Sequence, residues 1–284
     1  VEVVVRSDVL AVPGAQLYYE VRGAGPVLLL ICGGVYDAEA YAPLAEAFAG
    51  RYTVVTYDRR GNSRSPLEGE PSAQEISTHA EDARRLLEVV SPGAPAEVFG
   101  NSSGAIIALE LAARCPEVVG TVVAHEPPLF HLLPDRAHWS QLMDDVEETF
   151  RAGGPWAALE VFNAGFAGGE EAEAPAGEDE LGPGSIPEPS GEVQERMQRN
   201  FGFFIGYEVP SFGRYRVELE QLDGVRVVAG VGELSAEEPP GRAASALAEG
   251  MGQTASVFPG DHGGFGSAAE GFAVVLDRVL REGA

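Results

Sequence analysis

Lysine is absent from this chain: all 19 basic residues are arginine, and they face 44 aspartates and glutamates, for a formal net charge of −25. A surface of that sign repels phosphate backbones and anionic lipid, so nucleic-acid binding and polybasic membrane attachment are disfavoured. Cysteine is scarce. Cys32 and Cys115 are the two in the chain, inside segments that read as a buried strand end and a helix. That placement excludes a disulfide framework and a CxxC metal clip and fits a reducing compartment; both are expected to be packing residues. Long hydrophobic runs are missing too. No window reaches the roughly 18 apolar residues of a membrane span, and the opening Val-Glu-Val-Val-Val-Arg lacks a basic region followed by an apolar stretch. A soluble cytoplasmic protein is expected, without membrane or nucleic-acid partners and with a homodimer left open. What is present suffices for a core: 284 residues, 45% hydrophobic and 22% charged, suit one large α/β domain or a domain carrying an insertion.

Periodicity gives the order of elements. Val9 to Val12 and Gln16 to Val21 read as short strands around Pro13-Gly14, a hairpin signal. Val27 to Ile31 is a continuous apolar run, the mark of a strand buried on both faces. A helix over Ala38 to Phe48, a strand over Tyr52 to Tyr57, a helix from Ser72 to Val90, a strand over Ala96 to Phe99, a helix over Ser103 to Arg114 and a sixth strand over Gly120 to Ala124 follow. Ser72 with Glu75 three residues on is a capping box. Such alternation predicts a mostly parallel sheet with helices on both faces. It stops between 129 and 222, where Trp139 to Phe150 reads as a helix and Val193 to Phe212 as an amphipathic aromatic stretch. Between them, 168–191 is rich in Gly, Pro, Ala and Glu and reads as a surface loop. Strand Val225 to Ala229, helix Gly241 to Gly250, strand Thr254 to Phe258 and helix Ala268 to Leu280 then resume the rhythm. The organisation expected is a core of 1–128 and 223–284 interrupted by a mostly helical cap at 129–222.

Chemistry concentrates where the fifth strand hands over to a helix. Gly100-Asn101-Ser102-Ser103-Gly104 is a G-x-S-x-G sequence in a strand–turn–helix setting. There a serine occupies a strained turn with positive φ, and the glycines on either side let strand and helix meet sharply. The helix start aims free N–H groups at Ser102 and favours negative charge beside it. Of five histidines, His79 and His138 read as helical, His125 abuts the sixth strand and His131 enters the cap. His262 follows the last strand in Pro259-Gly260-Asp261-His262-Gly263-Gly264, at the carboxyl end of the sheet, and is the expected general base. Two acids satisfy the chain order Ser, acid, His: Glu126 after the sixth strand and Glu233 after the seventh. Asp261 is too close to its neighbour on a tight loop to turn toward it.

These residues resemble the α/β-hydrolase fold, whose order of elements matches 9–128 and 225–282. The resemblance implies that Cys32-Gly33-Gly34 stands at the family's His-Gly-x position, with the backbone N–H groups of Gly34 and Ser103 as oxyanion hole. It also implies that Asp58-Arg59-Arg60-Gly61-Asn62-Ser63-Arg64-Ser65 is the family's structural D-x-R-G-x-G-x-S turn. Gly100 to Ala105, Cys115-Pro116-Glu117, His125-Glu126-Pro127-Pro128 and Pro259-Gly260-x-His262 look like the corresponding stretches of fungal zearalenone lactonases. That likeness favours Glu126 over Glu233 as the acid.

The expectation is a serine hydrolase with a Ser-His-Glu triad and an acyl-enzyme, needing no metal or organic cofactor, acting on a neutral ester or lactone of a bulky apolar compound. Trp139, Phe201, Phe203, Phe204, Tyr207 and Phe212, with His125 and His131, are the expected pocket wall. A thioesterase or amidase, a perhydrolase of haloperoxidase type, and a slow-turnover ligand receptor remain alternatives on the same residues.

Overall fold

A computed structural model describes residues 4–166 and 191–282. Nearly all of the acidic segment 168–191 therefore lies outside the described residues. Strands β1 (Val5–Val12) and β2 (Ala15–Arg22) form the hairpin around Pro13-Gly14, with Gly14 at φ 79°. β1 begins at Val5 rather than Val9, because its first residues pair through their backbone while their side chains stay exposed and so leave no apolar alternation.

Strands β3 (Val27–Ile31), β4 (Thr53–Tyr57), β5 (Ala96–Asn101) and β6 (Val119–His125) alternate with helices α1 (Ala42–Phe48), α2 (Ile76–Val90) and α3 (Ser103–Arg114). After β6 come α4 (Arg136–Phe166), α5 (Gly191–Phe203), a π-helical turn at Phe204–Glu208 and α6 (Val209–Phe212). Strand β7 (Arg226–Gly232), α7 (Pro239–Gly250), β8 (Ser256–Phe258), α8 (Gly264–Ser267) and α9 (Ala269–Arg281) complete the described chain. The sheet order is β1-β2-β4-β3-β5-β6-β7-β8, antiparallel at β1/β2 and β2/β4 and parallel from β4 to β8. The chain leaves β3 for β4 on one side and returns to β5 on the other, so the loops after β3 and β5 meet at a topological switch point, where ligands bind in such sheets.

β3 shows why the alternation reads as it does. Its five residues are all buried; Leu29 and Ile31 join the cluster containing Ala83 and Leu86 of α2 and Ile106 of α3, while Leu28 and Leu30 join Phe48 of α1 and Phe272 of α9. Period-two side chains thus feed two helical layers, and truncating either set to Ala would cost about 2–5 kcal/mol per residue.

Two local signals are overruled. α2 starts at Ile76, and its first turn has no side-chain cap, so the Ser72–Glu75 capping box does not form. Residues 72–75 are instead drawn out along the insertion: Gln74 N donates to Tyr207 O at 2.7 Å and Ser211 Oγ donates to Gln74 O at 2.6 Å. α4 extends beyond the expected Phe150 to Phe166, bending at Gly154 with φ 81°. Gly153-Gly154-Pro155 reads as a stop in sequence, but proline is tolerated in the first turn of the segment that follows the bend. Among the described residues no helix is long and apolar enough to cross a membrane.

Candidate active site

The elbow after β5 brings three backbones into contact. Ser102 stands at φ 55°, ψ −125°, and its N–H donates to His125 O at 2.9 Å, tying the turn to the end of β6. A Cβ on Gly100 would meet Gly104 O at 2.3 Å, and one on Gly104 would meet Ile31 O at 2.1 Å. The two glycines are therefore required by close approach of strand, helix and β3, beyond what the turn itself needs. Asn101 Oδ1 lies 2.7 Å from His125 Nδ1, so the residue before Ser102 is held by a side chain from the adjacent strand.

Glu126 follows β6 at φ 48° and is fully buried. Its Oε1 accepts from Gly232 N at 2.8 Å and Ser235 Oγ at 2.5 Å, and its Oε2 lies 2.5 Å from His262 Nδ1. Burial would raise this carboxyl, but hydrogen bonding and charge attraction from His262, with Ser235 adding a donor, hold it below the usual carboxylate range. Glu233 is exposed and does not touch the imidazole; its Oε1 accepts from Gly260 N at 3.3 Å and braces the loop that carries His262. Asp261 Oδ1 turns to Gly263 N at 2.9 Å.

The loop after β3 approaches from the opposite side. A Cβ on Gly33 would lie 2.8 Å from Ser102 Cβ and 3.0 Å from Ser103 N, so only glycine lets this loop reach the elbow. Gly34, at φ 55°, presents an N–H that donates to Ser103 Oγ at 2.9 Å. The expected donor is thus engaged by a hydroxyl on the first turn of α3 rather than left free, because that short side chain reaches across the gap. Cys32 is buried, with Sγ 3.3 Å from Tyr36 O and 3.7 Å from Tyr57 O, and burial pushes its thiol up to about 12. It is a loop anchor and inert as a nucleophile.

Ser102, Ser103, Gly34 and His262 line one cavity of about 550 Å³. Of the expected wall, Phe201, Phe204 and Phe212 line it. The remaining expectations need correction. Phe203 packs on the 58–65 turn, where a Cβ on Gly61 would lie 2.2 Å from its ring. Tyr207 packs on Phe150 and Phe203. His125 is buried among Phe99, Phe258 and Phe272, away from the cavity. Trp139 stacks on Phe130 at 4.6 Å behind the wall, and with His131 it faces a separate, arginine-lined hollow. The apolar wall is completed by Met143, Leu159, Phe162, Phe166, Ile205 and Val209. The spacing of Leu159, Phe162 and Phe166 was a helical apolar stripe that the Gly-Gly-Pro bend concealed.

The family model for the alpha/beta hydrolase fold matches residues 26–167. The uncharacterized hydrolase YraK of Bacillus subtilis (strain 168) is 34% identical over 98% of this chain and 97% of its own. The zearalenone hydrolase of Cladophialophora bantiana is 32% identical over 126 residues, 43% of this chain and 47% of that protein. In structure, a thermophilic esterase from Thermogutta terrifontis superposes with a TM-score of 0.71 at 17% identity, covering 100% of this chain and 99% of that one.

Proposed function

The chain belongs to the alpha/beta hydrolase fold family, and from that premise we propose that it is a serine hydrolase of neutral carboxylic esters or lactones with a bulky apolar body. The observation that carries this reading is the 2.5 Å contact of buried Glu126 with His262 at the rim of a cavity that Ser102 also lines. Glu126 accepts the Nδ1 proton and fixes the tautomer, which leaves Nε2 of His262 to take the proton of Ser102. Ser102 Oγ then attacks the carbonyl carbon, and the negative charge that forms on the carbonyl oxygen is met by the Ser103 N–H at the start of α3 and by the Gly34 N–H, which exchanges its bond to Ser103 Oγ for the oxyanion. Collapse breaks the bond to the alcohol oxygen, which receives its proton from His262. Water, deprotonated by His262, finally releases the acid from Ser102.

The substrate class follows from the wall. Aromatic and aliphatic side chains supply most of it, and the carboxylates of Glu238 and Asp261 stand beside His262. An anionic ligand would meet both carboxylates, whereas a neutral ring-bearing ester loses little by leaving water. A panel of p-nitrophenyl esters, aromatic lactones and zearalenone tests the reading. Turnover is expected for at least one neutral apolar member and its loss in Ser102→Ala with folding intact; a near-wild-type rate in that variant would refute the assignment.

A further inference from the structure

The loop that faces Ser102 is gripped by the insertion at three points that acyl transfer does not itself require. Arg196 of α5 donates from Nε to Asp37 Oδ2 at 2.8 Å. Asn200, one turn further on, donates from Nδ2 to Val35 O at 2.8 Å, and its Oδ1 accepts from Ser63 N at 2.7 Å. Glu208 closes the π-helical turn and accepts from Arg59 at 2.8 Å; the other arm of the same guanidinium donates to Gly34 O at 2.5 Å. The second oxygen of Glu208 accepts from Asn62 Nδ2 at 3.0 Å.

The Arg59–Glu208 pair is the telling member. Both side chains are 0% exposed, and a buried pair of this kind is usually no more stable than well-packed apolar residues of the same volume. Stability alone therefore gives little reason for it. Its geometry gives another: the planar fork joins a cap carboxylate to the carbonyl of Gly34, the residue whose N–H faces the elbow. A π turn at the segment that carries the carboxylate fits this, since such turns recur at functional sites.

We propose that Arg59, Glu208 and Asn200 are positioning residues that make the backbone geometry of the 33–37 loop conditional on the seating of the insertion, so that the Gly34 N–H is held at the elbow, where it can pass from Ser103 Oγ to a developing oxyanion, only when the insertion is seated. The kinetic consequence rests on the serine-hydrolase reading; the conformational consequence does not.

The test uses the double variant Arg59→Met, Glu208→Met, which replaces the pair by apolar side chains and avoids leaving either charge buried alone, with Asn200→Ala as an independent second variant. For p-nitrophenyl butyrate the expected result is a fall in kcat of about 100-fold in the double variant with KM changed by less than about twofold, because loss of an aligned oxyanion donor acts on the transition state. Hydrogen exchange over residues 33–37 is expected to accelerate in both variants, since Gly34 N–H and Tyr36 N–H are bonded in the intact loop. A purely structural role would instead lower the thermal midpoint and leave kcat per folded molecule unchanged, which overturns the proposal. If the wild-type protein hydrolyses no ester, the functional reading fails and the exchange result alone decides: faster exchange confined to 33–37 supports the clamp, and unchanged exchange overturns it.

Discussion

The sheet rim and the insertion hold their side chains by opposite means. At the rim, Ser102, Glu126 and His262 each stand just past a strand, and the first two take positive φ. Ser102 and Glu126 are fixed by backbone bonds to neighbouring strands, Ser102 N to His125 O and Glu126 N to Gly230 O, and the Glu126 carboxylate accepts from the backbone Gly232 N of β7. In the insertion, side chains are held by other side chains across long sequence separations, as in Arg59 with Glu208 and Asn200 with Ser63. The rim thus inherits rigidity from the sheet, whereas these side chains of the insertion take their positions from docking on the core turn and the 33–37 loop. Chemistry that tolerates little misplacement belongs on the first and adaptable recognition on the second.

The largest expected effect tests whether the rim is a unit. On the serine-hydrolase reading, Glu126→Gln keeps the shape of the side chain but offers Nδ1 an amide, which allows the wrong tautomer; kcat should fall by about 10⁴-fold, as in Ser-His-Asp triads deprived of their acid. Glu233→Gln should change kcat by less than about threefold, because that carboxylate braces only the Gly260 amide. Steady-state kinetics on one activated ester suffices, and the reverse ranking would move the acid to β7.

The contrast also explains what could be read from the sequence. Strand β3, the elbow and the placing of Ser102 and His262 past strand ends were legible because apolar runs, glycine spacing and strand ends are local signals. The choice between Glu126 and Glu233 was not local, since both follow a strand and only the register of β6, β7 and β8 turns one of them toward His262. The insertion was least legible. Aromatic residues there face the cavity, the core turn or one another according to helix rotation, so Phe201 and Phe203, two positions apart, separate to different surroundings. The capping box at Ser72 was a valid local signal that docking of the insertion overrode.

A second prediction concerns acid. Burial holds His125 down to about 4 from an ordinary 6.5, with Glu126 opposing and His262 adding to the depression. Between those values the unfolded chain binds a proton that the folded one refuses, so stability is complete above about 6.5 and drains away as pH falls toward 4. The stability difference between the wild-type protein and His125→Asn should therefore shrink by about 3 kcal/mol between pH 7 and 4. Denaturant titrations of both proteins at the two pH values check this. A constant difference would mean that the end of β6 takes up the proton without loosening, and that the rim is less rigid than its bonding implies.

The smallest effect separates the two kinds of aromatic in the insertion. Phe201 lines the cavity, while Tyr207 packs on Phe150 and Phe203 outside it. Phe201→Ala removes apolar contact that a bulky ester would use equally in its ground and transition states, so KM for an aromatic ester should rise about tenfold with kcat little changed. With p-nitrophenyl acetate, too short to reach that wall, the same variant should show no change in KM. Tyr207→Leu should leave KM for both esters within about twofold, its cost falling on stability instead. If Phe201→Ala lowered kcat for the short ester as well, the wall would be tied to the rim through the same segment that carries Asn200 and Glu208, and recognition and chemistry would no longer be separable parts of this molecule.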